Sequence, residues 1–69
     1  MSRLGLLLYS KRKELKLTQR ELSERIGVCQ GCISNYERGV TSPSLRTLFR
    51  LVKALHISWS EFNNVEIES

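Results

Sequence analysis

The chain has 69 residues, 41% of them hydrophobic, with 11 Lys and Arg against seven Glu and a formal charge of +4. That length suits one small domain with one compact core and leaves no room for an elaborate catalytic pocket or a second module. All the cationic residues precede residue 60 and face only four Glu there, a net of +7, while the last ten residues carry Glu61, Glu66 and Glu68 and no base. A basic body with a mildly acidic end points to a polyanionic partner, nucleic acid in the simplest case, with plain solubility as the competing reading.

Leu4, Leu8 and Leu15, with Leu7 beside them, recur at helical spacing and predict a first helix over residues 3–15. The apolar start is too short for a signal peptide or a membrane span, so a cytoplasmic protein with no membrane partner is expected. Thr18-Gln-Arg-Glu21 is a capping box. It predicts a second helix over 19–26 with Leu22 and Ile26 inward and Gly27 as its left-handed stop. A third helix follows over 30–38 and ends at Gly39. Val40-Thr-Ser-Pro43 reads as loop. Leu45, Leu48, Phe49, Val52 and Leu55 form the strongest amphipathic pattern and predict a fourth helix over 44–55. Ser58-Trp-Ser-Glu61 is a second capping box, opening a short fifth helix with Phe62. Residues 63–69 alternate apolar and acidic side chains and suit either a short strand or an acidic tail. The expectation is an all-α domain of five helices over residues 1–62, followed by that tail.

Two short helices joined by a tight turn at Gly27 make a helix-turn-helix, here spanning residues 18–37. In that arrangement the second helix enters the DNA major groove. Its residues suit the task. Ile33 and Tyr36 are spaced to face the core, while Gln30, Gly31, Ser34 and Asn35 lie away from Ile33 and are small or neutral polar. Gln and Asn pair with adenine through two hydrogen bonds, Ser accepts several bases, and Gly permits close backbone approach. A merely solvated face would more often carry Lys and Glu.

Leu17-Thr-Gln-Arg-Glu-Leu22, the glycine turn, Ile33-Ser-Asn-Tyr-Glu-Arg-Gly39 and Pro43-Ser-Leu-Arg-Thr-Leu48 stand in an order and spacing that resembles the Cro/CI-type (XRE) helix-turn-helix family of bacterial and phage regulators. The likeness spans roughly residues 4–62, and it implies a lambda-repressor-like fold. It implies that Gln19 contacts phosphate and supports a neighbouring recognition residue, and that Gln30, Gly31, Ser34 and Asn35 meet bases. Arg38, Thr41, Ser42 and Arg46 then meet phosphate. It further implies a partly buried ion pair between Arg12, on the Leu8–Leu15 stripe, and Glu37. The competing role for Arg12 is a phosphate ligand.

Cys29 and Cys32 stand three apart with a single His56 elsewhere, too few ligands for a zinc site, so neither metal nor cofactor is expected. As N-cap and small apolar residue they need no redox role, although a redox switch remains an alternative. Trp59, Phe62 and Val65 are candidates for a dimer patch, with core capping as the competing reading. The functional expectation is a non-enzymatic, homodimeric repressor that binds double-stranded DNA at a palindromic operator and takes no small-molecule ligand. The alternative is an antitoxin-type protein-binding module.

Overall fold

A computed structural model describes residues 2–58, 60 and 61, and these contain helices and no strand. The helices are α1 (Arg3–Glu14), α2 (Gln19–Ile26), α3 (Gln30–Arg38) and α4 (Leu45–Ala54). The expected fifth helix begins with its capping box formed. The Ser58 hydroxyl accepts from the Glu61 amide at 3.3 Å, and the Ser58 amide donates to Glu61 Oε1 at 3.1 Å. Residues 60 and 61 are helical, and Trp59, Phe62 and Val65 lie outside the described residues, as does the acidic tail.

Each helix start follows from a local oxygen or the lack of one. Ser2, Thr18 and Ser44 accept from the amides of Gly5, Glu21 and Thr47 at the starts of α1, α2 and α4. At Thr18 the box is reciprocal, since Glu21 Oε1 accepts from the Thr18 amide at 2.8 Å. Cys29 caps α3 by backbone alone and makes no side-chain cap bond. All four helices end at a left-handed residue: Lys16 (φ 59°), Gly27 (φ 76°), Gly39 (φ 76°) and His56 (φ 56°). Lys16 and His56 hold this conformation without glycine's freedom. Paired bonds reach back into the helix, from Leu17 N–H to the Arg12 carbonyl and from Ile57 N–H to the Val52 carbonyl, both 3.1 Å. The apolar residue after each stop, Leu17 or Ile57, is buried in the core and anchors the turn.

The core is Leu8, Leu17, Leu22, Ile26, Ile33, Leu51, Leu55 and Ile57, with Leu4, Leu7, Val28, Tyr36, Val52 and Ala54 packed around it. Three expected core positions differ. Leu45 is 68% exposed, Phe49 49% and Leu15 39%. In α4 the buried centre is Leu51, which the apolar stripe did not include; Leu48, Val52 and Leu55 flank it, and Leu45 and Phe49 fall on the far side of the helix. Leu15 is the C-cap of α1, where the chain leaves the helix and carries it off the inward face.

α1 crosses α3 closely because Gly5 is buried there with no side chain. A Cβ at residue 5 would stand 2.8 Å from the Tyr36 carbonyl oxygen and closer still to that of Glu37. Both are backbone atoms that cannot rotate away. Beside this crossing lies the buried ion pair. Arg12 Nε donates to Glu37 Oε2 at 2.7 Å and Arg12 Nη2 to Glu37 Oε1 at 3.1 Å. Arg12 Nη1 donates to the Leu17 carbonyl at 2.8 Å, and the Tyr9 ring centre lies 5.3 Å from the guanidinium carbon. Arg12 and Glu37 are 6% and 2% exposed.

Glu37→Ala leaves the Arg12 cation buried without its carboxylate and should cost about 3–5 kcal/mol in urea unfolding, whereas replacing both partners with apolar residues of similar volume should recover most of that. Gly5→Ala should cost roughly 1–3 kcal/mol by overpacking, measured the same way. Two exposed capping carboxylates are held below the ordinary value of 4.5, Glu21 chiefly by the Thr18 amide and Glu61 chiefly by Lys11, its ion-pair partner on α1. A lowered folded pKa contributes stability that is complete above the unfolded value and lost as pH falls through the folded one. The Glu21→Gln, Glu61→Gln variant should therefore show a shallower loss of thermal midpoint below pH 4.5 than the parent, with little difference in slope above it.

Candidate nucleic-acid interface

The anchored Glu37 sets the roll of α3. It shares the inward side with Ile33, four residues earlier and 2% exposed. On a helix of 3.6 residues per turn, the opposite arc then carries Gly31, Asn35 and Arg38 with Ser34 at its edge, while Gln30, seven residues before Glu37, lies near the Glu37 side at the open start of the helix. Gln30, Gly31 and Arg38 are exposed, and Ser34 and Asn35 are half-buried. Among the described residues, no intramolecular hydrogen bond engages the side chain of Gln30 or Ser34. Asn35 Oδ1 accepts from Arg38 Nη2 at 2.8 Å, which orients the amide and leaves its nitrogen to donate.

Gln19, the first residue of α2, sits between this arc and the ion pair. Its Nε2 donates to Glu37 Oε1 at 3.1 Å. One N–H of the amide is thus committed to Glu37, and the second N–H and the side-chain oxygen are left over. Gln19 and Gln30 line one open cleft of about 570 Å³ together with Arg12, Lys13, Lys16 and Thr18. Lys13 and Lys16 are exposed at its edge, and Arg12 is held by Glu37. Arg12 therefore serves as a buried structural cation rather than an exposed ligand for phosphate.

The turn after α3 is held by the Asn35 carbonyl, which accepts from Val40 N–H at 2.9 Å and, at the limit of a hydrogen bond, from Thr41 N–H at 3.5 Å. Thr41 and Ser42 are exposed, and among the described residues neither hydroxyl has an intramolecular partner. Arg46 is exposed on the first turn of α4 and lines a separate shallow depression with Leu45, Phe49, Arg50 and Lys53. The structure thus brings Gln19 to Gln30 and Asn35 to Arg38, and places Arg46 on another helix.

One positioning residue was missed by the sequence reading. Arg50 Nη1 donates to the Ile26 carbonyl at 3.2 Å, so α4 caps the end of α2 just before the Gly27 turn. An arginine on the polar side of an amphipathic helix carries no sequence signal that distinguishes such a bond from solvation.

The two cysteines are reduced, with Sγ atoms 3.0 Å apart. Cys29 is exposed and its thiol is drawn below its usual range, first by the hydrogen bond with Cys32 and then by backbone amides of the first turn of α3. The same bond pushes the half-buried Cys32 thiol up. Among the described residues no three of His, Cys, Asp and Glu gather as a metal site requires, and no helix is long and apolar enough to cross a membrane.

Comparison with known proteins fits this geometry. The Helix-turn-helix family model matches residues 8–62. An uncharacterized HTH-type transcriptional regulator of Methanothermobacter thermautotrophicus is 49% identical over 49 residues, 71% of each chain. The ImmF control region 10 kDa protein of Bacillus phage phi105 is 32% identical over 66 residues, 96% of this chain and 73% of its own. Among solved structures, the P22 c2 repressor protein in complex with synthetic operator 9T superposes with a TM-score of 0.77 at 38% identity, covering 80% of this chain and 83% of the repressor chain. The helical fold, the helix-turn-helix of α2 and α3 and these likenesses together show that the chain belongs to the Cro/CI-type (XRE) helix-turn-helix family of DNA-binding transcriptional regulators.

Proposed function

We propose that this chain is a sequence-specific repressor that binds a palindromic operator as a homodimer, with α3 in the major groove of each half-site. The observation that carries this reading is the outward arc of α3. A buried Glu37 turns Gly31, Ser34 and Asn35 outward beside Arg38, and Gln30 stands exposed at the start of the helix. Gln30, Gly31, Ser34 and Asn35 read bases in this scheme. Arg38, Arg46, the Thr41 and Ser42 hydroxyls and the second amide N–H of Gln19 hold the phosphate backbone. The P22 c2 repressor, whose structure holds an operator, supports the assignment at 38% identity.

One helix of this length meets only a few base pairs. Specific affinity then calls for a second half-site one helical turn away, and hence a two-fold dimer. Trp59, inside the Ser58–Glu61 cap, and Phe62 and Val65, after it in the chain, supply the apolar side chains for that contact. Repression needs no more than occlusion of polymerase by the bound dimer.

Selection of bound fragments from the source genome should return a palindrome with half-sites about ten base pairs apart, centre to centre. On that operator, Gln30→Ala and Asn35→Ala should each cost about 1–3 kcal/mol and relax base choice at one position per half-site. Arg46→Ala should weaken binding to all sequences alike and lower the salt dependence by about one counterion per protomer. Wild-type binding by both Gln30→Ala and Asn35→Ala would place the reading surface elsewhere. Trp59→Ala should shift the sedimentation profile toward monomer, and an unchanged profile would remove Trp59 from the interface.

A further inference from the structure

Neither ordinary role of a small residue accounts for Cys29. It is exposed, so it contributes little to packing, and its sulfur makes no capping hydrogen bond to α3. Ser2, Thr18 and Ser44 show what the other helices use at this position. What Cys29 does have is a second thiol 3.0 Å away on the same helical turn. A disulfide needs about 2.05 Å between sulfurs, so bond formation requires a movement of only about 1 Å at the helix start. The pair is also asymmetric in the way a dithiol couple requires. The outer thiol, at the positive end of a helix, is the one favoured as thiolate, and the inner one is held protonated and half-buried.

We propose that Cys29 and Cys32 form a reversible dithiol site, closed to an intramolecular disulfide by exchange with small-molecule disulfides of the glutathione class, and that closure weakens DNA reading by α3. The second half rests on the function proposed above. In the first step the Cys29 thiolate attacks one sulfur of the oxidised small molecule. A mixed disulfide forms and one thiolate leaves. In the second step the Cys32 sulfur gives up its proton and attacks Cys29 Sγ, and the second small thiolate departs. Two protein thiols are oxidised and one disulfide is reduced to two thiols, so atoms and electrons balance without a metal or a further oxidant.

The consequence for DNA comes from position. The bond would span Gln30 and Gly31, and the Cys29 sulfur already lies against residue 31, 3.9 Å from where a Cβ would stand. Base-reading hydrogen bonds tolerate only a few tenths of an ångström around 2.7–3.2 Å. Whatever part of the roughly 1 Å sulfur closure the backbone takes up displaces Gln30, the next residue, and the expected loss is about tenfold, the equivalent of one base contact.

The test equilibrates the full chain in glutathione redox buffers and reads intact mass and operator affinity on the same samples. Oxidising buffer should remove the mass of two hydrogen atoms from the parent and lower its affinity about tenfold, both reversed by excess reduced glutathione. Cys32→Ala should instead gain one glutathionyl group, because the resolving sulfur is gone, and Cys29→Ala should react more slowly than either. A parent mass that stays unchanged across the whole range of buffers overturns the dithiol site. A disulfide that forms with unchanged affinity overturns the coupling, as does an equal oxidant-induced loss in a Cys29→Ser, Cys32→Ser variant. A reduced parent that binds no operator overturns the DNA reading and the coupling together. The mass readout does not involve DNA and separates that failure from a failure of the thiol chemistry.

Discussion

The rest of this small structure depends on one buried carboxylate. Glu37 receives Arg12 from α1 through two bonds and Gln19 from α2 through a third, while Arg12 also secures the turn between those helices at the Leu17 carbonyl. Burying two charges carries a desolvation cost, and an apolar pair would often give equal or greater stability. What an apolar pair lacks is direction. The planar guanidinium and carboxylate have one geometry in which both bonds form, and that geometry sets how far α3 is rolled about its own axis. With Gly5 admitting α1 against the carbonyls of Tyr36 and Glu37, separation and roll are both determined. For the reading face proposed above this matters more than stability, because a roll of one residue would turn Asn35 to a different side of the helix.

The same carboxylate explains how structure and function share Gln19. One N–H of its amide belongs to the fold, and the second N–H and the oxygen remain for the surface, at the rim of a cleft that Gln30 also lines. Substituting Gln19 would therefore disturb the ion pair and the reading face together, and a loss of binding could not be assigned to a lost contact alone. Arg38 and Asn35 divide their tasks in a similar way. The cation orients the Asn35 amide, and in the proposed complex that lowers the side-chain entropy lost on contact.

Much of this was legible in the sequence wherever a residue type has a single physical use. Capping boxes at Thr18 and Ser58, and glycines at 27 and 39, mark helix ends because few other residues satisfy those backbone requirements. The buried position of Arg12 was readable because a charge on an apolar stripe needs a partner. Lys16 and His56 were silent, since nothing about either residue advertises a left-handed conformation; the buried apolar residue that follows each one enforces it. Leu45 and Phe49 misled because an amphipathic stripe reports which side chains are apolar, not which edge of the stripe meets the core. Leu51 is the true centre of α4, and only packing against the other helices reveals that. Gly5 was equally silent, as its use lies in a crossing partner 31 or more residues away.

The start of α3 is where these constraints meet. The other three described helices begin with an oxygen that accepts an otherwise unpaired amide; α3, the helix with the most to gain from a fixed first turn, begins with sulfur. A serine or threonine there would strengthen the cap by about 1 kcal/mol. Using a thiol instead leaves the Cys32 amide, the counterpart of the amides that Ser2, Thr18 and Ser44 cap, without a side-chain oxygen. It also leaves a nucleophile beside a second thiol. If the dithiol proposal holds, local stability at the first turn is exchanged for chemistry beside the proposed reading face, and Glu37 secures the opposite end of the helix.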